Sequence, residues 1–326
     1  MRIGYSISGR GPAATQHVAR LADAAGIDLV TMGDSQATHH EIYSMLAITA
    51  AATSRIQLGP FVTNPVTRHA SVTAAAVATV DEISGGRAFL GIGRGNASVK
   101  NAGLPRATPE DLRGAIETAR RLMGAGPGPG LGWIKRVVPV MVHIGGPRTL
   151  QVAVDTADGV IFRWGDFPAD TLGERLREIR RLRARGPRAG DPFAIWSIAS
   201  TCVTSEEARV RGEIDLAHRA RSLPFAEWPA ELVPAALRFR EAYQFAFHVS
   251  KTNKVNKRLM DEQGLTKFIV DRYALIGDVP AIARRLHDLE ALGVETMILA
   301  IEDSGEKPAT DETRVADVAA IKAALH

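Results

Sequence analysis

The sequence predicts an α/β fold of the (β/α)8 TIM-barrel class. Short apolar segments of strand length alternate with longer helical segments along nearly the whole chain of 326 residues. Within residues 55–103 a strand, a helix and a second strand follow one another in about forty residues, which requires parallel pairing. The pattern continues to eight strands, each followed by a helix. A doubly wound open sheet is the alternative, but it seldom uses so many evenly spaced parallel strands.

The predicted strands are apolar runs that end at glycine, proline or polar residues. They cover residues 2–8, 27–32, 56–62, 88–92, 137–144, 159–162, 194–203 and 296–301. The predicted helices carry apolar residues at helical spacing, and several stop at a glycine such as Gly26 or Gly293. They cover residues 12–25, 41–53, 71–84, 109–123, 147–157, 171–185, 278–292 and 313–325.

A longer stretch separates the last two predicted strands. Residues 206–257 are mostly helical in pattern and are interrupted by prolines, so we predict a helical insertion between strands seven and eight. A stripe of side chains within this insertion is either the wall of a substrate pocket or part of a core or subunit contact. The stripe consists of Tyr243, Gln244, Phe247, His248 and Lys251.

Composition narrows the class of protein. The glycine- and proline-rich residues 124–132 are interpreted as a loop because the strand pattern resumes after them, so residues 1–326 are predicted to form a single domain. A net charge of +4, with 40 basic against 36 acidic residues, is too weak to predict nucleic-acid binding. No run reaches membrane-spanning length and no apolar signal segment opens the chain, so we expect a cytoplasmic protein without membrane contact.

Candidate chemistry is sought at the carboxyl ends of the strands, where barrels bind their ligands. Asp34 follows strand two and could act as an acid or base or orient a cofactor; a turn-capping role is the alternative. His39 and His40 could carry a proton, although surface histidines at a helix start have the same pattern. No HExxH motif or cysteine pair accompanies them, so we predict no metal site.

Two glycine-rich turns follow strands four and five. Gly91-x-Gly93-x-Gly95 with Arg94 does not fit a dinucleotide fingerprint and indicates either a ligand-binding loop or a tight turn with a solvent-facing arginine. Residues Gly145-Gly146-Pro147-Arg148 open a helix, where free N–H groups favour an anion. Arg148 itself could instead face solvent.

Several segments follow the pattern of one enzyme group, in the same order along the chain. They are Gly33-Asp34-Ser35, residues 58–65, Thr67-Arg68-His69, residues 81–87, residues 90–95, Gly145-Gly146-Pro147-Arg148, Ala157-Asp158-Gly159 and residues 276–280. Together they resemble the bacterial luciferase-like superfamily of flavin- and deazaflavin-dependent enzymes. The details resemble the deazaflavin branch, which includes relatives of methylenetetrahydromethanopterin reductase. The resemblance implies the same barrel.

The resemblance also implies roles for individual residues. It places Asp34 at the ring of the cofactor, Arg94 at the phosphate of FMN, and the turn formed by Gly145, Gly146, Pro147 and Arg148 at the phosphate of a flavin or deazaflavin. It implies a cis peptide between Phe61 and Val62 behind the central ring; Pro60 in this strand independently predicts an irregularity. The strand-end residues Thr63 and Asn96 complete the predicted cofactor site. Many relatives carry histidine where this chain has Ser35.

The implied function is hydride transfer between coenzyme F420 and a small organic substrate, with Asp34, His39 or His40 handling the proton. One alternative is an FMN-dependent monooxygenase that uses O2, which Arg94 favours. Another is a non-catalytic flavin-binding relative, which Ser35 favours. The resemblance further implies a homodimer or higher homo-oligomer.

Overall fold

A computed structural model describes residues 1–125, 128–168, 170–244, 254–303 and 310–326. Phe247, His248 and Lys251 of the predicted stripe lie outside these ranges. The strands are β1 (Arg2–Ser6), β2 (Leu29–Met32), β3 (Gln57–Pro60), β4 (Leu90–Ile92), β5 (Val140–His143), β6 (Gly159–Arg163), β7 (Ala194–Val203), β8 (Ala274–Gly277) and β9 (Thr296–Ile301).

All strand pairs in the described ranges are parallel, and the strands follow the order β3-β2-β1-β9-β7-β6-β5-β4. The two end strands, β3 and β4, meet through isolated bridges from Leu58 to Ala88 and from Thr63 to Ile92. Eight strands therefore form a nearly closed barrel, as the sequence predicts. The predicted eighth strand is β9 in the structure.

One short strand, β8, was not predicted. It pairs with the carboxyl half of β7, from Ser200 opposite Ala274 to Val203 opposite Gly277, beyond the part of β7 that pairs with β6. In the sequence it follows a helix directly, with no glycine or proline between them, so its four residues extend the apolar helical pattern. Its strand conformation therefore depends on the free edge that β7 offers.

Helices connect the strands and surround the barrel. They are α1 (Pro12–Ala24), α2 (Ile42–Ala52), α3 (Ala70–Ser84), α4 (Ala97–Asn101), α5 (Pro109–Leu122), α6 (Pro147–Thr156), α7 (Leu172–Arg185), α8 (Glu207–Glu213), α9 (Ala217–Ser222), α10 (Val233–Ala242), α11 (Val255–Glu262), α12 (Thr266–Tyr273), α13 (Val279–Ala291) and α14 (Asp311–Ala323). No helix in the described part of the chain is long and apolar enough to span a membrane.

Three apolar clusters hold these elements together. The largest lies between the outer faces of the strands and the surrounding helices. A smaller one fills the barrel interior and consists of Leu29, Phe61, Phe89, Met141, Ile161, Trp196, Ile198 and Ile298. The third lies within α8 to α12 and includes β8, so the insertion extends beyond the predicted residues 206–257. The insertion thus has a core of its own, which rests on the carboxyl half of β7.

Several segments of the family pattern stabilise the amino-terminal end of the barrel. Arg87 donates hydrogen bonds to the carbonyl oxygens of Ala50 and Thr53, where α2 ends. Asp158 accepts from Arg120 Nη1 at 2.6 Å and from Arg188 Nη2 at 2.8 Å. These charged residues lie at the end of the barrel opposite the mouth, so their role is structural.

Candidate active site at the barrel mouth

Asp34 lies at the centre of a polar cluster just beyond β2 and β3. Its side chain is 3% exposed and accepts a hydrogen bond from Thr63 Oγ1 at 2.7 Å. Arg68 donates to both carboxylate oxygens, at 2.6 Å and 3.3 Å. The three residues meet because parallel strands deliver their carboxyl ends to the same edge of the barrel. The carboxylate is therefore fixed by three hydrogen bonds at the position where a ligand would enter.

Arg68 connects this cluster to the start of α2. Its second nitrogen, Nη2, also donates to Glu41 Oε1 at 2.9 Å, and its guanidinium carbon lies 5.4 Å from the centre of the Tyr43 ring. Burial of Arg68 disfavours its charge, but the hydrogen bond and charge of Asp34, with the charge of Glu41, outweigh burial and raise the pKa of Arg68. The guanidinium remains charged and holds Asp34 in one orientation.

The chain is irregular immediately after β3. The peptide bond between Phe61 and Val62 is cis, which confirms the expectation drawn from the resemblance. Phe61 N donates to Met32 O at 2.7 Å, and Thr63 N then donates to Gly91 O at 2.9 Å. The N–H group of Phe61 thus bonds to β2, whereas that of Thr63, two residues later, bonds to β4 on the other side. Phe61 and Val62 therefore leave the regular strand pattern at the mouth of the barrel, where Phe61 remains buried and Val62 is half-buried.

Gly91 in β4 and Gly93 just after it fit against this irregular segment. A Cβ atom on Gly91 would lie 2.1 Å from the carbonyl oxygen of Pro60, and one on Gly93 would lie 3.0 Å from Val62 Cγ2. Gly95 has a φ of +81° and would bring a Cβ to 2.4 Å from Val99 Cγ2. The glycine pattern predicts that something approaches the backbone closely here. Within the described residues, the approaching atoms belong to the protein chain and not to a ligand.

Phe61 contacts side chains at the carboxyl ends of β5 and β6. The rings of Phe61 and His143 meet edge to face, with centroids 6.0 Å apart and an interplanar angle of 82°. The guanidinium carbon of Arg163 lies 5.4 Å from the Phe61 centroid. His143 and Arg163 each stand two residues after an interior-facing residue of their strand, so both point into the barrel mouth.

Phe61, His143 and Arg163 together line one part of the barrel mouth, here called the recess. Each keeps some contact with solvent although protein surrounds it closely. Burial, followed by the charge of Arg163, lowers the pKa of His143 well below its ordinary value, so the imidazole is neutral at neutral pH. Its Nε2 atom is buried and has no hydrogen-bond partner in the described part of the chain. A bound ligand could supply that partner.

The insertion contributes a second arginine to the recess. Arg219 of α9 is half-buried, and burial together with the charge of Arg163 lowers the pKa of Arg219 to about 9. The nearby carboxylates of Asp166 and Glu302 act in the opposite direction. Burial also raises the pKa of Asp166, whose Oδ2 atom accepts a hydrogen bond from the backbone N–H of Arg163 at 3.1 Å.

The turn before α6 is open to solvent. A Cβ atom on Gly145 or Gly146 would meet no atom within 4 Å. Thr149 Oγ1 fixes the turn by accepting from Gly145 N at 3.1 Å and donating to Gly146 O at 2.9 Å. No side chain caps the start of α6, so its first N–H groups can receive an anion. Pro147 and Arg148 are exposed beside this turn.

The other predicted phosphate residues lie after β4. Arg94 is half-buried, and its Nε donates to the carbonyl oxygen of Ala107 at 2.5 Å. Asn96 is exposed and precedes α4, but its side chain caps no N–H group of that helix. Both side chains therefore border the mouth of the barrel, and the structure brings neither into contact with the Asp34 cluster.

The two candidate histidines lie on the side of β1 and β2. His39 is half-buried; its Nδ1 lies 2.7 Å from Thr38 Oγ1, and its ring borders a small pocket that includes Gly9 and Gly33. His40 borders the same pocket and is exposed. Asp34 is bonded instead to Thr63 and Arg68, so its cluster and the histidine pocket are separate parts of the mouth.

Three residues of the recess escaped the sequence reasoning in whole or in part. His143 lies inside the predicted strand 137–144 and Arg163 directly follows the predicted strand 159–162, and neither was chosen as a site residue. Alternation along β5 and β6 would have placed both on the interior face with Met141 and Ile161. Arg219 carried no such signal, because its position depends on how the insertion packs on the barrel.

Comparisons with known proteins give a consistent result. A 5,10-methylenetetrahydromethanopterin reductase from Archaeoglobus fulgidus is 29% identical over 300 residues, which cover 87% of this chain and 88% of the relative. An F420-dependent glucose-6-phosphate dehydrogenase from Kineococcus radiotolerans is 30% identical over 221 residues, covering 58% of this chain and 65% of that protein.

The fold agrees with a solved structure of a similar protein. The coenzyme F420 dependent tetrahydromethanopterin reductase from Methanopyrus kandleri superposes with a TM-score of 0.72 at 20% identity, covering 98% of this chain and 97% of that one. The family model of the luciferase-like monooxygenases matches residues 1–296. This chain therefore belongs to the luciferase-like monooxygenase family.

Proposed function

We propose that this protein is an F420-dependent oxidoreductase that transfers a hydride between coenzyme F420 and a small organic substrate. The observation that carries the proposal is the irregular segment at residues 61–63, which stands at the barrel mouth and contacts both the Asp34 cluster and the His143 recess. The named relatives support F420 as the cofactor, because two of the three carry F420 in their names.

The residues at the mouth fit such a cofactor in two respects. The turn at Gly145 and Gly146 has open space where any other residue would place a Cβ atom, and it precedes uncapped helix N–H groups, which suits a phosphate. Two buried polar atoms, His143 Nε2 in the recess and Ser35 Oγ next to Asp34, have no hydrogen-bond partner among the described residues, and the edge of a polar ring could supply one. When bound, the deazaflavin ring supplies the hydride chemistry.

The chain itself would position the reactants and handle the proton. Asp34 is fixed by Thr63 and Arg68, so it can accept a hydrogen bond from a ligand in only one direction. His39 and His40 remain the candidates for proton transfer, in the neighbouring pocket beside β1 and β2. The neutral imidazole of His143 can donate or accept a hydrogen bond with cofactor or substrate.

A fluorescence titration tests the proposal. The purified protein is titrated with F420 and with FMN, each oxidised and reduced. We expect dissociation constants in the micromolar range for F420 and much weaker binding of FMN. Binding of FMN alone would favour the FMN-dependent monooxygenase, for which Arg94 is the supporting residue, and O2 uptake with reduced FMN would then be measured. Binding of neither would refute the proposed function.

A pair of glycine variants locates the phosphate. Gly146→Val adds a side chain where the structure has no atom within 4 Å, so folding should be unaffected, but the side chain would occupy the anion position. We expect F420 affinity to fall about ten-fold. Gly190→Val is the matched control, because Gly190 has equally open surroundings in the loop before β7, at the other end of the barrel.

A further inference from the structure

The interior face of β1 becomes accessible at the mouth of the barrel. A Cβ atom on Gly4 would lie 2.7 Å from the Leu29 side chain and 3.2 Å from that of Ile298, and both residues belong to the interior cluster. Gly4 therefore faces the barrel interior, and so does Ser6, which follows it by two positions. Because Gly4 is buried and Ser6 is half-buried, Ser6 lies in the first interior layer that solvent reaches on this strand.

Strands β9 and β7 continue this layer. Ala300 and Ser200 each follow a residue of the interior cluster by two positions, and both are half-buried. Ser200 is the sheet partner of Ala300, and the register between β1 and β9, continued by one residue, places Ser6 beside Ala300 on its other side. The next strands, β6 and β5, carry the large side chains of Arg163 and His143, so the room for a ligand lies beside β1, β9 and β7.

A buried hydroxyl adjoins this layer on β2. Thr31 is the sheet partner of Ser6 and follows the interior residue Leu29 by two positions, so its side chain also faces the barrel interior. Thr31 is 0% exposed, and its Oγ1 has no hydrogen-bond partner in the described part of the chain. A buried hydroxyl without a partner costs free energy, and a bound ligand would remove that cost. Thr31, Ser6, Ala300 and Ser200 are here called the hydroxyl wall.

The accessible hydroxyl groups of this wall are available to a ligand. Neither Ser6 nor Ser200 has a side-chain hydrogen bond to any part of the chain that the structure describes. Half-buried hydroxyls elsewhere are bonded: that of Ser8 accepts a backbone N–H at 2.7 Å, and that of Thr53 donates to a carbonyl oxygen at 2.8 Å. The hydroxyl groups of the wall therefore keep their bonding capacity for another molecule.

We propose that the hydroxyl wall binds an uncharged oxygen of the substrate, a hydroxyl or a carbonyl group, through Ser6, Ser200 and Thr31. A hydroxyl side chain suits both groups, because it can donate to a carbonyl oxygen and accept from a hydroxyl. The wall carries no cation that would hold a carboxylate or a phosphate. This inference rests on the proposed function, since it assumes that the cofactor occupies the side of the Phe61–Val62 peptide. It restricts the substrate to alcohols and carbonyl compounds.

Three probes with the same carbon chain test this site: 2-butanone, 2-butanol and butyrate. Ligand-observed NMR measures their binding to the free protein and to the protein saturated with F420. We expect the ketone and the alcohol to bind the F420-saturated wild type with dissociation constants of about 1 mM, and butyrate to bind about ten-fold more weakly. Thr31→Val and Ser200→Ala should each weaken ketone binding about three- to ten-fold, because each removes one hydrogen bond to the ligand.

Thr296→Val is the matched control for Thr31→Val. Thr296 is also 0% exposed, with an unpartnered Oγ1 among the described residues, and it lies beside Trp196 at the amino end of β9, away from the mouth. Neither change removes a hydrogen bond of the free protein, so both variants should be as stable as the wild type in thermal unfolding. Thr296→Val should leave ketone binding within about two-fold of the wild type. F420 binding should be equally unaffected in all three variants.

The outcomes separate the hydroxyl wall from the cofactor site. An equal loss of F420 and ketone binding in Thr31→Val or Ser200→Ala would assign the hydroxyls to the cofactor and overturn the inference while the proposed function stands. Ketone binding that neither variant weakens, butyrate bound as tightly as the ketone, or no binding of ketone and alcohol to the wild type would overturn it as well. Failure of F420 to bind any form would refute the proposed function instead, and a loss of ketone binding to free Thr31→Val protein would then support the wall on its own.

Discussion

Replacing Gly91 by alanine tests whether β4 is shaped to fit the irregular end of β3. The added Cβ atom would lie 2.1 Å from the carbonyl oxygen of Pro60. A carbon and an oxygen normally stay about 3.2 Å apart, so the two chain segments would have to separate by about 1 Å. The obstacle is backbone and not a flexible side chain, so no rotamer change relieves it.

The expected cost follows from the bonds that join these segments. Thr63 N donates to Gly91 O, and Gly93 N donates to Thr63 O, each at 2.9 Å. A separation of about 1 Å would break both bonds, at about 1 kcal/mol each. Overpacking adds about 1–2 kcal/mol. We therefore expect Gly91→Ala to lower the free energy of unfolding by about 3–4 kcal/mol.

Urea unfolding followed by circular dichroism measures this loss. Gly114→Ala is the matched control, because Gly114 is exposed in the interior of α5 and its Cβ would meet no atom within 4 Å. That variant should be stabilised by up to about 1 kcal/mol, since alanine favours helix. The same glycine-to-alanine change thus has opposite expected signs at the two sites.

The result that refutes the reasoning is simple to recognise. A Gly91→Ala protein as stable as the wild type, within about 0.5 kcal/mol, would show that β3 and β4 do not pack as described. F420 titration of the same variant adds a second readout. Because residues 60–62 are displaced, we expect F420 affinity to fall about ten-fold or more in the folded protein.

Two further predictions concern the ion pairs. Arg68→Met leaves the buried carboxylate of Asp34 without its cation and should lower the free energy of unfolding, measured in urea at pH 7, by about 3 kcal/mol. In a protein that already carries Asp34→Asn, the same change should lower it by less than about 1 kcal/mol. Equal losses in the two proteins would contradict the pairing. Burial alone would raise the pKa of Asp158, but bonds from Val140 N and Arg188 outweigh it and hold that pKa below its usual value. The stability that Asp158 contributes is therefore present at neutral pH and is lost as pH falls through the depressed pKa. Asp158→Asn should lower the free energy of unfolding by about 2–3 kcal/mol at pH 7 and by progressively less below pH about 4. A loss of stability that does not change with pH would contradict this prediction.

The barrel was predictable because its signals are local. Apolar runs, glycine stops such as Gly85 in a left-handed conformation, and helix-length connections each report on a few neighbouring residues. The insertion was predictable for the same reason. The strand β8 was not, because Ala274–Gly277 is extended only by pairing with β7, and no local feature separates it from α12.

The site was predictable where strand ends carry it. Asp34 and Thr63 were chosen from their positions after strands, and the structure joins them in one cluster. The glycines of β4 show the limit of such reasoning, since the sequence indicates that something approaches closely but not what. The structure shows the chain itself at Gly91, which no spacing could distinguish from a ligand.

The residues of the recess could be predicted from the sequence only in part. His143 could be found by counting alternate residues along β5 from Met141, which faces the barrel interior. Arg219 could not be found in this way, because it lies in a helical insertion whose residues do not alternate with the barrel strands. The charge of Arg163 acts on Arg219 only because of the tertiary packing of α9, which no local sequence pattern reports.

The position of the bound cofactor is the measurement that tests the central claim most directly. A crystal structure of the protein with F420 would show where the deazaflavin ring and the phosphate lie. The account predicts the ring at the Phe61–Val62 peptide, next to Asp34 and His143, and the phosphate at the Gly145–Gly146 turn. A ring bound elsewhere, or a phosphate held by Arg163 and Arg219, would contradict it.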